Sequence, residues 1–179
     1  MCVKKDKGIS MSQRRIADQV TLVPTAKSDL DTILSMEQHP ENRLFVRQWT
    51  REQHVVALRD ENIIHLTVRT SSGDLIGYVI LIGIENIDKS IEFKRIVIGV
   101  KGKGFGRATV NLVKQMVFEK YNTHRLWLEV MEHNDRAHSL YLSEGFTEEG
   151  LHRESFKQGD NFVSFRAMSI LKHEYNRNT

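Results

Sequence analysis

Between Arg95 and Arg107 the sequence reads Arg-Ile-Val-Ile-Gly-Val-Lys-Gly-Lys-Gly-Phe-Gly-Arg, and no other stretch restricts the fold as much. Ile96, Val97 and Ile98 are β-branched, so the chain enters this stretch as a strand. Gly102, Gly104 and Gly106 follow at every second position, where a missing Cβ lets the backbone come close to a ligand. Phe105, Ala108, Leu112, Val113, Met116 and Val117 then recur at helical spacing, so a helix starts at the glycines. Its orphan N–H groups, the positive end of its dipole and the side chains of Lys101, Lys103 and Arg107 converge on one spot suited to an anion, a phosphate above all. A plainer reading of the same residues is a glycine-rich turn with solvated lysines.

Two common phosphate motifs do not fit. The dinucleotide fingerprint needs glycine where Arg107 stands, and the Walker pattern needs Lys-Ser or Lys-Thr where Phe105-Gly106 stands. With 179 residues the chain suffices for one domain with a sizeable core and is short for two. The single cysteine, Cys2, excludes an internal disulfide, and a cytoplasmic setting is expected. The longest apolar run, Tyr78 to Ile84, is strand-sized, so no membrane partner is expected. A net charge of +3, from 26 basic and 23 acidic residues, gives no ground for a nucleic-acid partner. Residues 1 to about 18 are polar and unpatterned; a mobile tail is expected there, with Met11 as a possible true start, and a single domain over 19–174.

Along that domain the pattern gives a strand at Val20 to Val23, a helix capped by Ser28, a loop or irregular helix from Glu37 to Gln48, and a helix opened by the capping box Thr50-Arg51-Glu52-Gln53. Runs at Ile63 to Thr70 and Leu75 to Ile84 form a hairpin, and Ile91 to Ile98 is the next strand. After the long helix come a strand at Leu126 to Val130, a helix capped by Asn134 or Asp135 and stopped by Gly145, and two strands around Gln158-Gly159-Asp160-Asn161. The order β-α-α-β-β-β-α-β-α-β-β is α/β with a mixed sheet.

Lys101-Gly102-Lys103-Gly104-Phe105-Gly106 resembles the acyl-CoA pyrophosphate loop of the GNAT acetyltransferase superfamily, with Lys101 where that family usually carries Arg or Gln. A second block about thirty residues on, Asn134-Asp135-Arg136-Ala137, then Tyr141, then Gly145-Phe146, is similar to the same family. Together they extend the resemblance over roughly residues 20 to 172, nearest to the branch of ribosomal-protein N-terminal and spermidine/spermine acetyltransferases. The resemblance implies a mostly antiparallel seven-stranded sheet flanked by helices, and acetyl-CoA as co-substrate. It also implies phosphates held by amides of the loop and a pantetheine arm along Ile96, Val97 and Ile98. Tyr141 would be the general acid and Asn134 a ligand of the cofactor arm. A homodimer is plausible on the same grounds.

Read from the residues alone, Tyr141 lies seven positions after Asn134, on the same helix face and about 10 Å along the axis. There a phenol could protonate a leaving thiolate, or pack beside Ala137 and Leu140 with its hydroxyl satisfied. Glu92, by the two-residue period, shares a face with Ile96 and is the candidate base; an ion pair with Lys94 or Arg95 is the alternative, and Glu129 is a rival. Glu37, Glu41, Trp49 and Glu52 are candidates for the acceptor wall, or else surface groups with one tryptophan in the core. His124, His133, His138, His152 and His173 lack metal-ligand spacing, so no metal is assigned. The expected activity is transfer of acetyl from acetyl-CoA to a primary amine, on a peptide terminus or a small polyamine, by direct attack in a ternary complex. A binding module of the same shape without turnover is the alternative.

Overall fold

A computed structural model describes residues 20–176 of the chain, and the tail expected at residues 1 to about 18 lies outside them. The elements run β1 (Val20–Pro24), α1 (Leu30–Gln38), α2 (Pro40–Arg43), α3 (Arg51–Ala57), β2 (Ile63–Thr70), β3 (Leu75–Ile82), β4 (Ser90–Ile98), α4 (Phe105–Gln115), β5 (Arg125–Met131), α5 (Asp135–Ser143), β6 (Thr147–Gln158), β7 (Asn161–Leu171) and α6 (Lys172–Tyr175). The expected succession holds, with the single turns α2 and α6 added. At the start of α1 the cap is Asp29 rather than Ser28, which sits in a 3₁₀ turn; the Asp29 carboxylate accepts the Ala26 N–H at 3.0 Å. Thr50 and Gln53 do form the reciprocal box that opens α3.

Seven strands make one sheet in the order β1-β2-β3-β4-β5-β7-β6, antiparallel throughout except for β4 beside β5. Helices cover both faces, which is why β3 reads as a continuous apolar run. Val79 and Leu81 enter the larger core beneath α4 and α5, whereas Tyr78 and Ile80 enter a smaller one beneath α1 and α3.

The feature that matters for function is a split. β4 and β5 register at only three pairs, Ser90 with Arg125, Ile91 with Leu126 and Glu92 with Trp127. Beyond them β4 is paired with β3 alone and β5 with β7 alone. A β-bulge lies at the fork: the step from Glu92 to Arg95 on β4 faces the shorter step from Ile82 to Ile80 on β3. Bulges bend and twist a strand, which turns β4 away from β5. The bulge also corrects the expected alternation. Ile91 and Phe93 belong to the larger core, and Ile96 and Ile98 lie on that same side, so Glu92 faces the opposite surface from Ile96.

Candidate active site

Three pieces of backbone meet at the split. The first is the glycine turn, in which Gly102 (φ +76°) and Gly104 (φ +81°) hold a left-handed conformation that a side chain would strain. Gly104 stands at the N-cap of α4 with no side-chain cap, and the first intrahelical bond runs from the Ala108 N–H to the Gly104 carbonyl at 3.1 Å. The N–H groups of Phe105, Gly106 and Arg107 therefore have no helical partner and suit a diphosphate. The second piece is the free edge of β4 at Ile96 to Ile98, whose backbone on the β5 side is released by the split. The third is the start of α5, where the Asn134 side-chain oxygen accepts the Ala137 N–H at 3.2 Å, leaving its amide nitrogen for a ligand.

A cavity of about 1060 Å³ joins these pieces and passes through the split toward the loop after α2. Ile96, Ile98, Asn134 and Tyr141 line it, as do Lys101 and the glycines at 102, 104 and 106. Val97 points the other way into the smaller core, and Lys103 is exposed outside the lining. Lys101 donates to the Asn42 side-chain oxygen at 2.6 Å; burial, then the charge of Arg136, lowers its ammonium pKa. Arg107 reaches the cavity, yet its guanidinium is bonded to the Glu144 carboxylate and, at 3.0 Å, to the Ser143 hydroxyl.

Tyr141 is only 6% exposed, edge-on to Phe146 and Phe93 at centroid distances of 5.4 and 6.4 Å. Burial raises its phenol pKa well above the ordinary value, so it stays protonated through the neutral range. Packing in the core and facing the cavity are thus compatible roles. Both candidate bases lie on the other face of the sheet, where Glu92 accepts from Lys94 at 3.0 Å and Glu129 lies 2.8 Å from His152 Nδ1. At this end the wall is aromatic: Arg47 lies over the Phe156 ring at 5.3 Å, Phe156 meets Phe165 edge-on, and Phe45 contacts His133. The Gln158 side-chain amide donates to the Leu44 carbonyl at 3.2 Å, tying the β6–β7 hairpin to that loop. Glu41 also lines the cavity.

Glu37, a candidate for the acceptor wall, is fully buried instead. Its carboxylate accepts from the Tyr78 hydroxyl, from Arg95 at 2.8 Å and from the Trp49 N–H at 3.1 Å, and His54 Nε2 lies 3.3 Å away at a poor angle. Burial alone would raise its pKa, but the His54 and Tyr78 contacts, the Arg95 charge and the Trp49 amide bring it below the usual carboxylate value. Arg95 in turn lies over the Trp49 ring at 4.4 Å and lines the cavity. Behind Glu37 the chain continues through His54 Nδ1 to His65 Nε2 at 3.0 Å and His65 Nδ1 to Thr25 at 2.9 Å. Among the described residues, no three His, Cys, Asp or Glu side chains are placed to hold a metal.

A mixed sheet split between two parallel strands, with a glycine-capped helix on one face and an acid-lined, aromatic cleft on the other, defines the class of acyl-CoA N-acyltransferases. Residues 28–146 match the model of the Acetyltransferase (GNAT) family, and the chain belongs to that family. It is 31% identical over 168 residues to a spermidine N(1)-acetyltransferase of Vibrio cholerae, covering 88% of this chain and 95% of the relative. A solved Vibrio cholerae spermidine N-acetyltransferase in complex with CoA and spermine superposes with TM-score 0.80 at 29% identity, over 88% of this chain and 98% of that one. A dodecameric structure of spermidine N-acetyltransferase from Vibrio cholerae in an intermediate state gives TM-score 0.76 at 29% identity, over 90% and 99%. The chain is an acetyl-CoA-dependent N-acetyltransferase.

Proposed function

We propose that the acceptor is a primary amine of a polyamine. The observation that carries this reading is the far end of the cavity, which is lined by the acidic residues Glu41, Glu92 and Glu129 together with the aromatic residues Phe45, Phe156 and Phe165. A polyamine combines ammonium groups that suit carboxylates with methylenes that suit aromatic rings, and the relatives named for spermidine support the same class. The cofactor enters from the α4–α5 face, its diphosphate on the amides of residues 102–107 and its arm between Asn134 and the free edge of β4. The amine enters from the opposite face, and the two meet in the split.

Glu92 takes the proton from the incoming ammonium, with Glu129 beside it on the same face as second candidate. The neutral nitrogen attacks the thioester carbonyl, the C–N bond forms as the C–S bond breaks, and the nitrogen gives up its second proton to water to leave a neutral amide. Tyr141 gives its proton to the departing sulfur and is restored from solvent. Neither motif contains a cysteine to carry the acetyl group, which supports direct transfer. The dodecameric relative supports an assembly larger than the dimer expected from sequence.

The test is thiol release from acetyl-CoA across polyamines, amino acids, aminoglycosides and N-terminal peptides, for the native enzyme and Tyr141→Phe. Polyamines give the highest kcat/KM. The variant loses about a hundredfold or more in kcat while its affinity for coenzyme A is unchanged. A peptide preferred over every polyamine would refute the acceptor assignment, and an unaltered kcat in Tyr141→Phe would refute the acid.

A further inference from the structure

Arg107 opens the helix that carries the phosphate amides, and its charge suggests another phosphate contact. We propose instead that Arg107 is a positioning residue: with Glu144 and Lys114 it straps the N-terminus of α4 to the end of α5 and so sets the distance between the cofactor cradle and Tyr141. The proposal rests on the acetyltransferase reading above.

The strap is drawn from both helices. Arg107 bonds the Glu144 carboxylate with one nitrogen and the Ser143 hydroxyl, at 3.0 Å, with the other. Two turns along α4, the buried Lys114 ammonium donates to the other Glu144 carboxylate oxygen at 3.0 Å and to the Glu144 carbonyl at 2.8 Å. Glu144 is thus held by cations at both ends of one face of α4, and it is itself buried. A buried carboxylate between two cations, with its hydrogen bonds satisfied, fixes geometry more than it adds stability.

That geometry reaches Tyr141 by two short links. The Glu144 and Phe146 N–H groups both donate to the Tyr141 carbonyl, each at 3.0 Å, so the strap holds the backbone of the general acid directly. A Cβ built on Gly106 would lie 3.7 Å from Leu140, so the glycine turn packs against the residue preceding Tyr141. With its fork engaged in this way, Arg107 is held toward α5 by two bonds. The loop amides remain for the phosphates.

Two acyl donors separate the roles. Acetyl-CoA carries the phosphates, and S-acetylpantetheine presents the same thioester without them. Arg107→Met keeps the buried Lys114–Glu144 pair, and a thermal melt with far-UV dichroism verifies the fold. A strap predicts that Arg107→Met lowers kcat about tenfold with both donors, because misplacement of a catalytic group by a fraction of an ångström acts on the chemical step. KM for acetyl-CoA and calorimetric affinity for coenzyme A stay within about twofold of the native values. Glu144→Gln shows the same pattern, and the double variant is no worse than the more damaging single one. Arg107→Lys fails to rescue, since one ammonium cannot bridge Glu144 and Ser143. A loss confined to KM for acetyl-CoA, with S-acetylpantetheine unaffected, would make Arg107 a phosphate ligand and overturn the proposal; so would no loss with either donor. If the native enzyme shows no turnover at all, the functional reading fails, and the strap is then judged by calorimetry: coenzyme A affinity in Arg107→Met unchanged supports it, and a tenfold or larger loss overturns it.

Discussion

At the scale of single residues, Glu37 organises the face of the sheet away from α4 and α5 without touching the cavity. Its carboxylate holds Arg95 against Trp49, and Arg95 forms part of the wall. The histidines behind it make the arrangement sensitive to acid. Burial, then the charges of His54 and Arg95, lowers the His65 pKa from 6.5 to about 4, although Glu37 pulls it the other way. The unfolded chain therefore takes up a proton near pH 6.5 that the folded chain accepts only near 4. Stability is full above pH 6.5 and falls as pH drops toward 4, by an amount on the order of 3 kcal/mol. Glu37, held below its ordinary value, adds to the loss as pH falls through its own folded pKa. Urea denaturation between pH 7.5 and 4.5 measures this slope, and His65→Gln flattens it; equal slopes in the two proteins would mean that His65 is not its source. Tyr141 and Asn134 were legible in the sequence because seven positions on one helix are a local relation. Glu37, His54, His65 and Arg95 were not: 58 positions separate Glu37 from Arg95, and no local pattern marks a pairing made only by folding.

At the scale of elements, the sheet depends on how closely β3 and β4 approach where β4 borders the cavity. A Cβ on Gly77 would lie 2.4 Å from the Val97 carbonyl oxygen and 2.7 Å from Ile98 Cδ1, on the part of β4 that has parted from β5. Gly77→Ala forces these strands apart and lowers stability by about 2 kcal/mol, a fall of several degrees in Tm. Gly150→Ala on the edge strand β6 meets nothing within 4 Å and leaves Tm unchanged. Equal melting points for both variants would contradict the packing at Gly77. Strand and helix order followed from apolar periodicity, and the capping box at Thr50 and the stop at Gly145 followed from residue type. The bulge at Glu92 to Arg95 did not, because β4 contains no glycine or proline to announce it; it arises from pairing with β3. That one extra residue put Glu92 on the face opposite Ile96, away from where strict alternation placed it.

At the scale of the whole molecule, two cores lie on opposite faces of one sheet, and the split between β4 and β5 is the passage between the faces. In the proposed reading each substrate has its own entrance, with the anionic donor on the side of the glycine-capped helix and the cationic acceptor on the side of the carboxylates. The glycine motif and the Asn134 block, each contiguous in sequence, come together at one end of the cavity. The carboxylate-lined end of the cavity is assembled from the loop after α2, β4, β5 and the β6–β7 hairpin, so it emerges only when those elements are brought together. The most direct measurement is a crystal structure with coenzyme A bound. The diphosphate oxygens then accept hydrogen bonds from the amides of Phe105, Gly106 and Arg107, the arm follows the free edge of β4, and the Tyr141 hydroxyl lies within about 3.5 Å of the sulfur. A diphosphate bound away from the glycine turn, or a Tyr141 hydroxyl directed away from the sulfur, would contradict it.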